Sequence, residues 1–193
     1  MHTDRLYDGI FITEFIKSIR AKLIEEIKLF EEKRNLNLEG EKERLKDKYT
    51  LGPLTLGETK PSVTKREKKM VYNDWGQQYE ADIHVMKIIV PFEGNGNLFY
   101  CRPTSGTIVD PKIDSIDNQN KVIRFTIELR ELKDEEYKKE IGKIISDIKE
   151  NIPNVNRDIL PWDSQLESLI ENELRKFNEF VSEKNSFIES IGL

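Results

Sequence analysis

The sequence predicts an α+β fold: a small, mostly antiparallel sheet of about four strands, flanked by long helices at both ends. Three observations carry this. Apolar residues recur at spacings of three and four from Ile12 to Phe30 and again from Leu166 to Ile191, the period of one helix face. Ile123, Phe125, Ile127 and Leu129 alternate with Arg124, Thr126, Glu128 and Arg130, the period of a strand with one buried side. Charged residues make up 35% of the chain while Gly and Pro together are few, which suits solvated helices rather than a disordered chain.

Taken in order, residues 1–49 read as a helical segment. Asp8 to Arg34 forms one amphipathic helix with Ile12, Phe15, Ile16, Ile19, Leu23, Ile27 and Phe30 on one stripe; Lys17, Arg20, Lys22, Glu25, Glu26 and Lys28 lie on the other face. Gly40 ends this region, and Glu41 to Tyr49 is a short charged helix. Residues 50–78 change character. "TLGPLTLGETKPSVTKREKK" mixes Gly, Pro and Thr with cations and reads as a loop or basic arm, with a short strand as the alternative.

Residues 79–132 form the β segment. Tyr79 to Val90, Leu98 to Arg102, Thr107 to Val109 and Lys121 to Arg130 are its strands. The glycines and asparagines of Glu93-Gly94-Asn95-Gly96-Asn97 tolerate the positive φ of a hairpin turn. A phosphate loop would lead into a helix, whereas Leu-Phe-Tyr follows here, so a hairpin is favoured. Cys101 then falls in the second strand, as a small core residue rather than a nucleophile.

Residues 133–193 are helical. Asp134 caps a helix carrying Tyr137, Ile141, Ile144, Ile145 and Ile148. Pro153 and Pro161 bound a kinked or broken stretch. Asp163 then caps a last helix whose stripe is Leu166, Leu169, Ile170, Leu174, Phe177, Phe180 and Val181, continued by Phe187, Ile188 and Ile191, with Gly192 as C-cap. Together the four segments make one compact α+β domain.

Several function classes lose support. The net charge of −5 argues against a surface that grips nucleic acid everywhere. A single cysteine forms no internal disulfide, and no Cys/His cluster has zinc spacing. The N-terminus lacks a signal-peptide pattern, and no apolar run approaches the ~20 residues that span a bilayer. A cytoplasmic location, no membrane contact, no metal and no cofactor are expected.

No catalytic set is complete. His2 sits near the N-terminus, and His84 with Asp82 reads as the polar side of a strand, lacking any nucleophile. Glu80 and Asp82 are the nearest approach to a metal-dependent nuclease, without the lysine that would complete it. Lys60, Lys65, Arg66, Lys68 and Lys69, with Tyr72 and Trp75 behind them, are either a solvated charge run or a nucleic-acid-binding arm. Leu166, Leu169, Ile170, Leu174, Phe177 and Phe180 are either monomer core or the interface of a homodimer.

From Pro91 onward the chain carries a set of short motifs: Pro91-Phe92-Glu93-Gly94, Leu98-Phe99, Pro103, Val155-Asn156-Arg157-Asp158-Ile159, Leu166, Arg175-Lys176 and Ser190-Ile191-Gly192-Leu193. In this set the chain resembles the N-terminal region of bacterial multidomain defence-type proteins that carry a C-terminal restriction-endonuclease-like effector. Asp163 stands where that pattern has Asn. The resemblance runs from about residue 80 to residue 193 and its motifs are structural. It implies a non-enzymatic sensing or assembly module that regulates a separate effector, itself nuclease-like in the longer proteins.

Overall fold

The computed structural model describes residues 6–32, 37–107, 109, 111–131 and 133–190. Among them the chain is α+β. Helix α1 (Ile12–Lys28) continues into a 3-10 turn (Leu29–Glu32), followed by α2 (Leu38–Tyr49), β1 (Thr55–Leu56), β2 (Lys60–Tyr72), β3 (Gln78–Glu93), a 3-10 turn (Gly96–Tyr100), β4 (Ser115–Asp117), β5 (Val122–Leu129), α3 (Asp134–Glu150) and α4 (Ile152–Ser190). The sheet is antiparallel throughout. β5 lies on one side of β3 with β4 beyond it; β2 and the short β1 share the other side of β3.

β5 follows its sequence pattern: Ile123, Phe125, Ile127 and Leu129 are buried, and the residues between them are not. Opposite them in register stand Val90, Ile88, Met86 and His84 of β3. That face joins one core with Leu23 and Ile27 of α1, Leu45 of α2, Ile148 of α3, and Leu166, Ile170 and Leu174 of α4. α1 and α4 run side by side in the same direction, and α2 runs antiparallel to α4. Lys42 and Lys46 of α2 pair with Glu167 and Glu171 of α4.

Eight expectations are corrected. Residues 60–72 are not a loop or arm of irregular chain: Lys60–Tyr72 is a thirteen-residue strand on β3. Its charges hid it, because both faces of a projecting ribbon are wet and no apolar alternation develops. The register slips between Pro61 and Val63, a bulge where proline is tolerated on an edge strand.

Leu98 to Arg102 is not a strand, so Glu93 to Asn97 is not a hairpin turn. Leu98 and Phe99 are adjacent and both fully buried. A strand would point them to opposite faces, whereas the 3-10 turn sends both into the core. The Phe99 and Tyr100 carbonyls accept from Tyr7 and Gly9. Thr107 and Val109 lie in no strand, Ile108 is outside the described residues, and β4 at Ser115–Asp117 takes the edge beside β5.

At the helices, the expected start at Asp8 moves to Ile12, while Arg34 is outside the described residues. Lys133 is the N-cap of α3 and Asp134 its first residue. Pro153 and Pro161 do not break the chain, because α4 is continuous over 39 residues. Pro153 sits in the first turn, where its missing N–H is unneeded. Asp163 is therefore inside α4 and caps nothing there. His2 and Ile191 to Leu193 lie outside the described residues, as does the Ile188 side chain.

Candidate functional site

Four polar side chains in the first half of α4 and just before it hold two loops by their backbones. Asn151, fully buried, accepts from the Thr107 N–H (3.1 Å) and donates to its carbonyl (2.6 Å). Asn156 does the same for Leu54, at 2.7 and 2.9 Å. The Asp158 carboxylate accepts from the Thr104 N–H and hydroxyl. Asp163 accepts from the N–H groups of Leu51 (2.9 Å) and Gly52 (3.0 Å). Trp162 Nε1 donates to the Tyr49 carbonyl (2.9 Å). Asn156, Asp158 and Asp163 belong to the motifs noted in the sequence, so their chemistry is spent on the fold.

The glycine-rich stretch is likewise structural. Gly94 has φ +89°, and a Cβ there would lie 2.7 Å from the Pro53 carbonyl oxygen, so only glycine fits. The Asn95 side chain accepts from the Asn97 N–H, Asn118 donates to Asn97, and Lys121 Nζ donates to the Gly94 carbonyl at 2.7 Å. These residues line an open polar basin of about 690 Å³ with Asp47 and Lys48. It holds no nucleophile with a base beside it. Cys101 is buried after the 3-10 turn rather than in a strand, and burial pushes its thiol up to about 11.

The basic cluster lies on the β2–β3 ribbon, which projects about 20 Å beyond the span covered by β5. Arg66 pairs with Asp82 at 2.6 Å, Lys68 with Glu80 at 3.0 Å, and Lys69 reaches Glu128 of β5. Among the described residues Lys60 and Lys65 make no ion pair. Glu80 and Asp82, the candidate nuclease ligands, are thus the partners of Lys68 and Arg66, two of the candidate phosphate contacts. His84 stands opposite Arg66 in the ribbon. Among the described residues no cluster of His, Cys, Asp or Glu could hold a metal ion. Trp75 at the ribbon tip is 85% exposed, with Tyr72 and Met70 exposed behind it.

The expected interface residues divide. Leu166, Ile170 and Leu174 are buried within the chain, against an interface role. Leu169 and Phe177 are half-buried, and Phe177 packs edge-on against Phe30 with ring centres 6.3 Å apart. Phe180 is 48% exposed and Phe187 63%. Beyond Leu174, α4 runs on from Arg175 to Ser190, about 24 Å of helix. Two grooves follow the α1–α4 seam: one at Ile24, Ile27, Lys28, Phe177 and Phe180, the other, about 440 Å³, at Ile16, Lys17, Arg20, Trp162 and Leu169. In sequence, Lys17 and Arg20 read only as members of a polar face; the groove they line exists because α1 and α4 lie parallel, a long-range relation.

No helix of the described residues is long and apolar enough to cross a membrane. No family model, curated protein or solved structure matches the chain.

Proposed function

We propose that this chain is a non-catalytic sensing and assembly module, which self-associates through the free end of α4 and thereby regulates a separate effector. The carrying observation is that α4 outlasts its own core: past Leu174 it continues to Ser190, with Phe180 and Phe187 facing solvent. Isolated helical segments of this length are marginal in water. Exposed phenylalanines on a projecting helix mark a surface made to be covered. The resemblance of Pro91–Phe99 and Val155–Ile159 to defence-type proteins gives this assembly its setting: a bacterial, cytoplasmic antiviral system in which pairing two modules brings two effectors together.

A nucleic-acid-binding arm is the second reading, favoured by the exposure of Trp75. Against it, three of the five cations of the cluster are already paired with carboxylates.

Sedimentation equilibrium of the chain at tens of micromolar tests the proposal. Wild type should run as a dimer, and a Phe180→Glu/Phe187→Glu variant as a monomer with an unchanged circular dichroism spectrum. Neither side chain is buried, so the fold should survive. A wild-type chain that stays monomeric at 100 micromolar overturns the assembly reading.

A further inference from the structure

We infer that the partner surface is the α1–α4 groove of a second copy: two α4 helices lie antiparallel about a two-fold axis near Arg175 and Lys176. Glu179 and Glu183 of each copy then face Lys17 and Arg20 of the other. This rests on the assembly reading and names its contact.

The first support is which side of α4 each residue occupies. At 100° per residue, Pro161, Gln165, Ser168 and Asn172, which line the groove, recur at spacings of four, three and four and share one side. Continued along the helix, the same side carries Glu179, Glu183 and Ser186, flanked by Phe180 and Phe187. Groove and overhang are one continuous surface, seen at its two ends.

The second support is charge. On the groove half, α4 contributes the neutral polar residues Gln165, Ser168 and Asn172, and among the described residues Lys17 and Arg20 of α1 make no ion pair. The one acid there, Asp158, is occupied by Thr104. Of the other acids of this stretch of α4, Asp163 accepts from the Leu51 and Gly52 N–H groups, and Glu167 and Glu171 are taken by Lys42 and Lys46 of α2. On the overhang the same side carries acids instead: among the described residues Glu183 has no partner, and Glu179 has only the exposed Arg175 at 3.1 Å. Shape follows charge, because Ile16, Leu169 and Trp162 form an apolar floor between the cations, while Phe180 and Phe187 stand beside the acids.

The third support is closure. A two-fold interface needs a patch in which residue i meets residue j and j meets i. Setting Arg175 across from Lys176 places Asn172 across from Glu179 and Ser168 across from Glu183, so each basic half meets an acidic half twice. The cations at the axis arrive already paired, Arg175 with Glu179 and Lys176 with Glu173.

The test is a charge exchange between two full-length variants, Lys17→Glu/Arg20→Glu and Glu179→Lys/Glu183→Lys. All four side chains are exposed, and circular dichroism checks that both variants fold. Each alone should dimerise at least tenfold more weakly than wild type, because like charges then meet twice. Mixed, they should form a one-to-one heterodimer of near wild-type affinity, since both contacts are restored. If both variants dimerise like wild type while Phe180→Glu/Phe187→Glu does not, assembly stands and this docking is wrong. If the mixture stays monomeric, the docking is wrong as well. If wild type itself is monomeric at 100 micromolar, both readings fall.

Discussion

Asn156 and Leu54 are joined in both directions: the Leu54 N–H donates to Asn156 Oδ1 at 2.7 Å, and Asn156 Nδ2 donates to the Leu54 carbonyl at 2.9 Å. A side-chain amide supplies donor and acceptor side by side in a single plane. It thus replaces the strand that a loop backbone lacks, and anchors the segment from α2 to β1 on α4. Replacing Asn156 with Ala strands a backbone donor and acceptor beside the fully buried Leu54, and should lower stability by about 1–3 kcal/mol. Asn156→Asp should be no better, because its carboxylate would face the Leu54 carbonyl. Urea denaturation reads this directly; equal stability of Asn156→Ala and wild type would remove the anchoring role.

What was legible in the sequence follows from where each signal originates. β5 and the α1 stripe are readable because one face is buried along the length of each, so period and burial coincide at Ile123, Phe125, Ile127 and Leu129. β2 is not readable, since its pairing with β3 leaves both faces of the ribbon wet. Asp163 looks like a cap because Pro161 precedes it, yet its role is to hold Leu51 and Gly52, more than a hundred residues away. Of the candidate site, Phe180 was named from its stripe, whereas the groove of Lys17 and Arg20 depends on two helices meeting.

Glu26 should give the stability curve an acid limb. Partial desolvation pushes its carboxyl up, but bonds from Lys48, Tyr49 and Arg44 outweigh this and bring it down to about 2. A carboxyl depressed in the folded state stabilises above its unfolded pKa of about 4.5, and that contribution is lost as pH falls toward 2. After discounting for solvent screening, it is on the order of 1 kcal/mol. Unfolding free energies of wild type and Glu26→Gln, measured between pH 7 and 2.5, should differ at neutral pH and converge in acid. A constant difference across that range would assign the effect to packing.

Cys101 should resist alkylation while the chain is folded. Its thiol is buried, donates to the Asn97 carbonyl at 3.4 Å, and is raised to about 11 by desolvation. At pH 8 only about one molecule in a thousand would carry the reactive thiolate. Iodoacetamide should therefore label Cys101 in proportion to urea-induced unfolding. Rapid labelling of the native chain would show instead that the 3-10 turn at Gly96–Tyr100 opens locally.

For the ribbon, salt dependence separates the two readings of its cations. Single-stranded DNA releases about 0.7 counterions per phosphate contacted, so five working cations would give a log–log slope near 3.5. With Arg66, Lys68 and Lys69 held by carboxylates, Lys60 and Lys65 are the cations of the cluster left without a carboxylate among the described residues, and any binding should show a slope of about 1.4. A fluorescence titration that follows Trp75 across salt concentrations measures it. A slope above about 3, abolished by Lys65→Glu/Lys68→Glu, would revive the nucleic-acid reading.

The end of α4 gives the last prediction, through its amide exchange. From Leu166 to Leu174 the helix is fixed by burial, and its amides should be protected at any concentration. From Glu179 to Ser190, Val181 is the one described apolar side chain that is even half-buried, and Phe180 and Phe187 are exposed. A helix of about a dozen residues without packing is only marginally formed in water, so in a monomer this segment should exchange within seconds. In a dimer that covers Phe180 and Phe187 it should slow in step with the dimer fraction, because exchange then requires dissociation. Hydrogen exchange at two protein concentrations, one below and one above the dimerisation midpoint, should therefore move only the peptides beyond Phe177. Protection of that segment that is strong and independent of concentration would mean that the helix end is held within one chain, and self-association through α4 would then have no basis.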